Sequence, residues 1–275
     1  MKDLIVNRKR LDLTQKLGML RVAVRENGLA WTFNLGLYYA ASFLAESAFA
    51  RMHHLRRKHG LPGLNSLELN RRTWEGWDWS GRGEEWTHSE EWKKSLIDNV
   101  LLKYVPAGGH ILEIGPGAGR WTETLQQLAE RLTGVDISQK CVDICREKFA
   151  HCSNAQFMTN TGCDLTGIGD QSVDSIWSFD VFVHINRREV EQYAREFRRV
   201  LKPGGRAVIH HGKTGGAHGG WRSDLTVEAL GDILAAAGLQ IVAQFSEWRD
   251  NGGEFKVGLY DDAVTVIEKP FASDS

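Results

Sequence analysis

Between His110 and Arg120 the chain reads H-I-L-E-I-G-P-G-A-G-R, and no other stretch limits its folding choices as much. Ile111, Leu112 and Ile114 suit a strand buried on both faces. Gly115, Gly117 and Gly119, with Pro116 between the first two, let the backbone turn tightly with no Cβ in the way of a ligand. Trp121 to Arg131 then shows helical spacing at Trp121, Leu125 and Leu128. Strand, glycine loop and helix in that order predict a βα unit of an open sheet with a ligand at the loop.

The alternation continues downstream. Leu132 to Asp136 reads as a second strand, and Ser138 caps a helix carrying Val142, Cys145 and Phe149. Gln156 to Met158 and Ser172 to Asp180 supply the third and fourth strands. A helix with Val190, Tyr193, Phe197 and Val200 follows, and the Pro203-Gly204-Gly205 turn delivers a fifth strand, Arg206 to His211. Thr226 caps a helix over Val227 to Ala236 that Gly238 ends. Leu239 to Trp248 and Asp262 to Glu268 read as a closing pair. The expected fold is α/β, a doubly wound, mostly parallel sheet with helices on both faces, preceded by a helical N-terminal extension. The division expected is 1–85 for the extension with an aromatic arm and 86–275 for the sheet domain.

The identity of the loop's ligand turns on spacing. Pyrophosphate loops place their glycines G-x-G-x-x-G, whereas here they fall G-x-G-x-G with Glu113 two residues before the first. An acid there is a poor neighbour for phosphate and a good one for a cationic amino-acid group. Asp136, at the second strand's end, can offer a carboxylate to two ribose hydroxyls. With the strand Ser172 to Asp180 and the turn Leu201-Lys-Pro-Gly-Gly205, these residues resemble the class I S-adenosylmethionine (SAM)-dependent methyltransferases across Trp92 to Val208. The resemblance implies a seven-stranded sheet with an antiparallel edge, SAM as cofactor and methyl transfer as the reaction.

It also implies site residues. Glu113, Gly115, Pro116, Gly117 and Gly119 would hold the cofactor's amino-acid end, Asp136 its ribose, and Ile137, Gly162, Cys163 and Asp164 its adenine, with Phe179 and Asp180 beside it. Thr161 stands where relatives usually carry an acid. Asp180, His184, His210 and His211 lie at strand ends, where ligands of such sheets bind, and are the candidate catalytic groups. Side chains alternate along a strand, so one of His210 and His211 is expected at the mouth. Asp180, His184 and a strand-five histidine resemble part of a metal-assisted set, but Val183 occupies the place of its second carboxylate, and no metal is expected. Trp79 and Trp86 on the arm, with Lys213, Trp221 and Arg222 on the glycine-rich segment Gly212 to Ser223, are the candidate acceptor-binding residues, the segment reading as a lid.

Before the arm, Leu29 to Ala50 carries one charge, Glu46, and the basic run Arg51 to His59 follows. Asn34, Ser42 and Glu46 and the abundance of alanine argue against a span. A helix packed on the sheet domain or a second subunit ranks first, membrane-surface attachment second and a true span last. Ser89 to Val105 reads as an amphipathic helix with Thr87-x-x-Glu90 as a capping box. Half of the ten tryptophans fall between Trp74 and Trp92.

A formal net charge of -1 gives no general attraction to nucleic acid. Cys141, Cys145, Cys152 and Cys163 lack paired spacing and read as free thiols, and residues 1–10 lack a signal peptide's pattern, so a cytoplasmic protein is expected, with membrane association as the variant. The expected activity moves a methyl group to a small-molecule acceptor, most naturally a hydroxyl of a sugar, glycan or natural-product intermediate. A membrane-bound lipid acceptor, a metal-assisted reaction and a noncatalytic SAM-binding regulator are the alternatives, and a homodimer is the expected assembly if the apolar helix is shared.

Overall fold

A computed structural model describes residues 12–216, 221–250, 253–258 and 260–271. The chain divides into two compact units, Met1–Leu61 and Pro62–Ser275. The boundary falls at the Leu61-Pro62-Gly63 connector, so the arm belongs to the sheet unit, not to the N-terminal helix as the 85/86 division had it.

The described residues of the first unit form one long helix, α1 (Leu13–His59). Asp12 caps it, accepting from the Gln15 N–H while the Gln15 side chain accepts from the Asp12 N–H. Gly60, at φ 60°, ends it. Gly28, at φ 81°, breaks the helical geometry within it, a conformation open to a residue without a Cβ. No helix among the described residues is long and apolar enough to cross a membrane.

The second unit opens with α2 (Leu67–Gly76) and short 3-10 turns at Trp79–Gly81 and Glu84–Trp86. Next comes α3 (Glu90–Leu96), which continues through a π-helical segment, Ile97–Leu101, to Leu102–Tyr104. Ser89 rather than Thr87 caps α3, because its hydroxyl accepts from the Trp92 N–H while Thr87 donates to Glu84. The remaining elements are β1 (His110–Ile114), α4 (Thr122–Leu128), β2 (Arg131–Asp136), α5 (Gln139–Lys148), β3 (Ala155–Thr159), β4 (Val173–Ser178), α6 (Arg187–Val200), β5 (Leu201–Gly212), α7 (Val227–Ala236), β6 (Gln240–Phe245), β7 (Glu247–Asp250), β8 (Gly253–Lys256) and β9 (Asp262–Glu268).

Seven strands form one sheet in the order β3-β2-β1-β4-β5-β9-β6, parallel except for β9, which runs antiparallel to both neighbours. The order reverses beside β1, so the carboxyl ends of β1, β2 and β4 open onto a crevice. The final pair is thus inserted out of sequence: β9 lies between β5 and β6, and β7 and β8 form a separate hairpin. On one face α6 and α7 bury Val190, Tyr193, Phe197, Leu230 and Leu234 against the sheet. On the other, Trp92, Leu96, Trp121 and Leu125 pack over Ile111, Trp177 and Val208. Two buried layers hold the loops at the strand ends on rigid supports.

Candidate active site

A cleft of about 560 Å³ lies at the carboxyl end of the sheet, lined by the glycine loop, the ends of β2 and β4, the arm, and the segments around Trp221 and Tyr260. The loop's shape requires glycine. Gly115 and Gly117 have φ 70° and 56°, and a Cβ on Gly115 would meet Val181 Cγ2 at 2.4 Å. A Cβ on Gly117 would come within 2.9 Å of the Trp79 ring, so the arm lies directly over the loop. Gly119 presses on Phe149 instead and is a packing glycine.

Asp136 closes β2 on the cleft wall. Its Oδ2 accepts from the Gly117 N–H (3.2 Å) and its Oδ1 from the Ser138 N–H (2.9 Å), which fixes the carboxylate and locks loop to strand. Burial pushes its pKa up to about 6. Ile137, Gly162 and Asn160 line the same end, and a Cβ on Gly162 would touch both Ile137 and Leu67 of α2. The arm is tied down there as well: Glu75 accepts from the Gln139 N–H and Lys140 donates to the Trp77 carbonyl.

Glu113 does not line the cleft. Its carboxyl lies fully buried beneath the loop and accepts from Thr122 Oγ1 at 2.6 Å, and burial pushes its pKa up to about 8. At neutral pH it is mostly an uncharged acid that braces α4 against β1. Arg120, three residues past Gly117, faces the cleft in its place. One Nη pairs with Asp180, the guanidinium stacks on Trp121 at 4.7 Å, and the buried Nη1 has no hydrogen-bond partner among the described residues. Sequence reading passed over Arg120 because a basic residue after a glycine loop carries no pattern of its own.

Asp180 follows β4 at φ 63°, an uncommon backbone for a residue with a side chain. That turn ends the strand at Ser178, two residues earlier than expected. Burial pushes its carboxyl up, but Arg120 and His210 outweigh this and hold it well below the usual carboxylate range. His210 Nδ1 stands 3.1 Å from the Asp180 N–H and 3.0 Å from its Oδ1, and Nε2 lies 3.4 Å from Asp262 Oδ2 on β9. Asp262 in turn pairs with Arg222, whose guanidinium covers Trp221 and Tyr260 at 5.3 and 5.0 Å. The order Arg120, Asp180, His210, Asp262, Arg222 is an alternation of charge and imidazole in which all but His210 line the cleft.

His211 points to the opposite face, where Nε2 meets Thr265 Oγ1 at 2.7 Å. His184 lines the cleft. Its Nδ1 is 3.2 Å from the Trp221 carbonyl, which can only accept, so Nδ1 carries the proton and Nε2 the lone pair. Burial lowers its pKa to about 4, so it is neutral at physiological pH. Cys163 and Asp164 do not line the cleft. Asp164 accepts from the backbone N–H groups of Thr161 and Thr166 and shapes the loop after β3. Phe179 lines it, stacked between Trp177 and His210.

Trp79 and Trp86 are joined on the cleft wall by Trp74 and Trp77. Lys213 is turned away, donating to Ser246 Oγ and pairing with Asp261. Trp221 and Arg222 line the cleft, but part of the expected lid, residues 217–220, lies outside the described residues. No group of three or more His, Cys, Asp or Glu side chains assembles as a metal site among the described residues.

Tested against SAM, the cleft offers partners for the ribose, the adenine and the carboxylate. Asp136 suits the ribose hydroxyls, Ile137 and Gly162 an adenine face, and the partnerless Arg120 Nη1 a carboxylate.

Known proteins agree with this geometry. Residues 112–209 match the family profile described as "Methyltransferase domain". The demethylmenaquinone methyltransferase of Tropheryma whipplei (strain Twist) is 34% identical over 105 residues, 38% of this chain and 42% of that protein. A ubiquinone biosynthesis O-methyltransferase of Coxiella burnetii is 27% identical over 119 residues, 40% of this chain and 49% of its own. The chain thus spans less than half the length of these curated relatives. A solved complex of the Haloferax volcanii Trm112 methyltransferase activator with a putative methyltransferase superposes with a TM-score of 0.58 at 20% identity, covering 72% of this chain and 98% of the other, a likeness of fold. Residues 112–209 are therefore a methyltransferase domain by sequence, on a sheet with the fold of that solved structure.

Proposed function

We propose that the protein transfers a methyl group from SAM to an oxygen of a small-molecule acceptor. The observation that carries this reading is the shared anchoring of Asp136 and the glycine loop, with Arg120 Nη1 left partnerless in the same cleft. When bound, SAM supplies an electrophilic methyl on a sulfonium. Asp136 grips the ribose, Arg120 takes the amino-acid carboxylate, and the arm from Leu67 to Trp86 excludes water from above. Asp180, ionised and paired with Arg120, holds the guanidinium at the end of β4. His184 accepts the acceptor's proton at Nε2. Alignment of this kind is worth roughly 7–11 kcal/mol of barrier. Calorimetry of the full chain with S-adenosylhomocysteine and with NADH tests the reading: uptake of the former alone is expected, and uptake of NADH alone would refute it.

A second element concerns assembly. The exposed apolar residues Leu29, Phe33, Leu37, Phe43 and Leu44 fall on one side of α1, within about 120° at 100° per residue, with Trp31 and Tyr38 opposite. Helices lying on lipid set such a stripe against a basic face, whereas residues 29–50 carry one charge, Glu46. This favours a homodimer through α1 over membrane attachment. Sedimentation of the full chain gives a dimer on this reading, and a monomer that floats with anionic vesicles refutes it.

A further inference from the structure

The methyl-transfer reading leaves the acceptor open, and the wall of the cleft opposite the loop narrows it. Trp74 is the hub of a ring cluster, with centroids 5.8 Å from Trp77, 6.0 Å from Trp79, 6.1 Å from Trp86 and 5.2 Å from His184. Trp77 and Trp86 stack at 5.5 Å. On the other side of His184, Trp221 lies 5.7 Å away and meets Tyr260 at 5.1 Å. Rings this close pack on one another and leave no hollow between them, so a ligand lies against them as against a wall. A flat π-face is what such a surface binds best.

The charged side chains on this part of the cleft are paired with one another: Arg120 with Asp180, and Arg222 with Asp262. A sugar ring, with hydroxyls all round its rim, needs several acceptors and donors that these pairs do not offer.

His184 sits inside the aromatic wall. Asn70 of α2 fixes its backbone by donating to its carbonyl at 3.0 Å, and the Trp221 carbonyl fixes its ring. The titratable groups that face it are Arg222, Asp180 and His210. With Nδ1 engaged, Nε2 is the one ring nitrogen able to take a proton. An imidazole brought down to about 4 is a weak base. Taking a proton from an alcohol as weakly acidic as water, at ~15.7, asks far more of it than taking one from a phenol near tyrosine's ~10.

We propose that the acceptor is a flat conjugated ring bearing a phenol- or enol-type hydroxyl, laid face-on against the tryptophan wall with that hydroxyl at His184 Nε2. The inference rests on the methyl-transfer reading and adds the acceptor's class. The O–H bond breaks with its proton passing to Nε2. The oxygen forms a C–O bond to the methyl carbon as the C–S bond breaks and its electron pair stays on sulfur. A neutral thioether and a methyl ether leave, and the histidine returns its proton to solvent.

Calorimetry with a naphthol, its fully saturated isostere and a methyl glucoside tests this on the full chain, without cofactor and with S-adenosylhomocysteine. The naphthol is expected to bind at least about tenfold tighter than the other two, the size of one or two aromatic contacts. Trp74→Leu and Trp86→Leu should each weaken naphthol several-fold and leave S-adenosylhomocysteine within about twofold, with unchanged melting temperature as the control for folding. His184→Gln should lower turnover of the naphthol by roughly 10²–10⁴, yet leave a nitro-substituted phenol, already ionised at the assay pH, nearly unaffected. Equal or better binding of the glucoside or the saturated isostere, or an equal loss for both phenols in the histidine variant, overturns the proposal. Failure to bind S-adenosylhomocysteine refutes the methyl-transfer reading separately, while naphthol binding still decides the acceptor's class.

Discussion

The substitution Glu113→Gln isolates the electrostatic cost of an acid buried beneath the cofactor loop. The folded-state pKa is about 8 against 4.5 for an ordinary glutamate, raised chiefly by burial. The folded protein therefore keeps this proton over a pH range in which the unfolded chain has released it. Between about pH 4.5 and 8 the unfolded state binds fewer protons, so stability falls as pH rises. Each unit of separation is worth about 1.4 kcal/mol, which makes the loss across that window about 3–5 kcal/mol. The glutamine of the variant has no proton to lose and keeps a carbonyl to accept from Thr122 Oγ1, so its curve lacks this slope. Asp136, raised to about 6, adds its own fall between about 3.8 and 6 in both proteins and cancels in the difference. Urea unfolding followed by tryptophan fluorescence at intervals from pH 5 to 9 measures the effect. The two proteins should be within about 1 kcal/mol of each other at pH 5, with the variant more stable by about 3 kcal/mol or more at pH 9. A difference independent of pH would mean that the Glu113 carboxyl is ionised when folded, and the uncharged brace described here would be wrong.

Three further substitutions probe the site. Asp136→Asn turns one acceptor oxygen into a donor facing a backbone N–H, and should cost about 1.5–3 kcal/mol of S-adenosylhomocysteine affinity by calorimetry; unchanged affinity would remove Asp136 from the ribose site. Gly115→Ala forces a Cβ into φ 70° and into Val181, which costs about 1–2 kcal/mol from the backbone alone. It should lower the melting temperature by several degrees and abolish cofactor uptake, and a variant that still binds would show that the loop tolerates a shift. Arg222→Ala strands the buried Asp262 and should destabilise by about 3–5 kcal/mol, with Asp262→Asn added in the same chain recovering at least half; no recovery in thermal melts would mean that the arginine acts through something other than this pair.

Local rules carried the sheet's parallel core. The βα unit at the glycine loop, the caps at Ser138 and Thr226, and the apolar spacing of α6 all depend on neighbours within a few turns, and each has a sequence signature. Side-chain direction is less local. Alternation along β5 required one of His210 and His211 to face the mouth, but register against β4 and β9 chose His210. Glu113 has the spacing of a cofactor ligand, yet the strand turns its carboxyl toward Thr122, and Arg120 takes the place on the cleft wall.

The amino-acid order alone determined an open α/β sheet with a glycine loop after its first strand and an acid closing its second, because hydrophobic period and backbone freedom are properties of short segments. Tertiary structure decided what surrounds that loop. Asp262 reaches His210 and Arg222 because β9 is inserted beside β5, a pairing between residues some fifty apart in the chain. The tryptophans divide between wall and core, Trp74 and Trp86 at the cleft and Trp177 buried away from it, because burial is settled by which surfaces meet, and a ring's identity does not say which surface it will find.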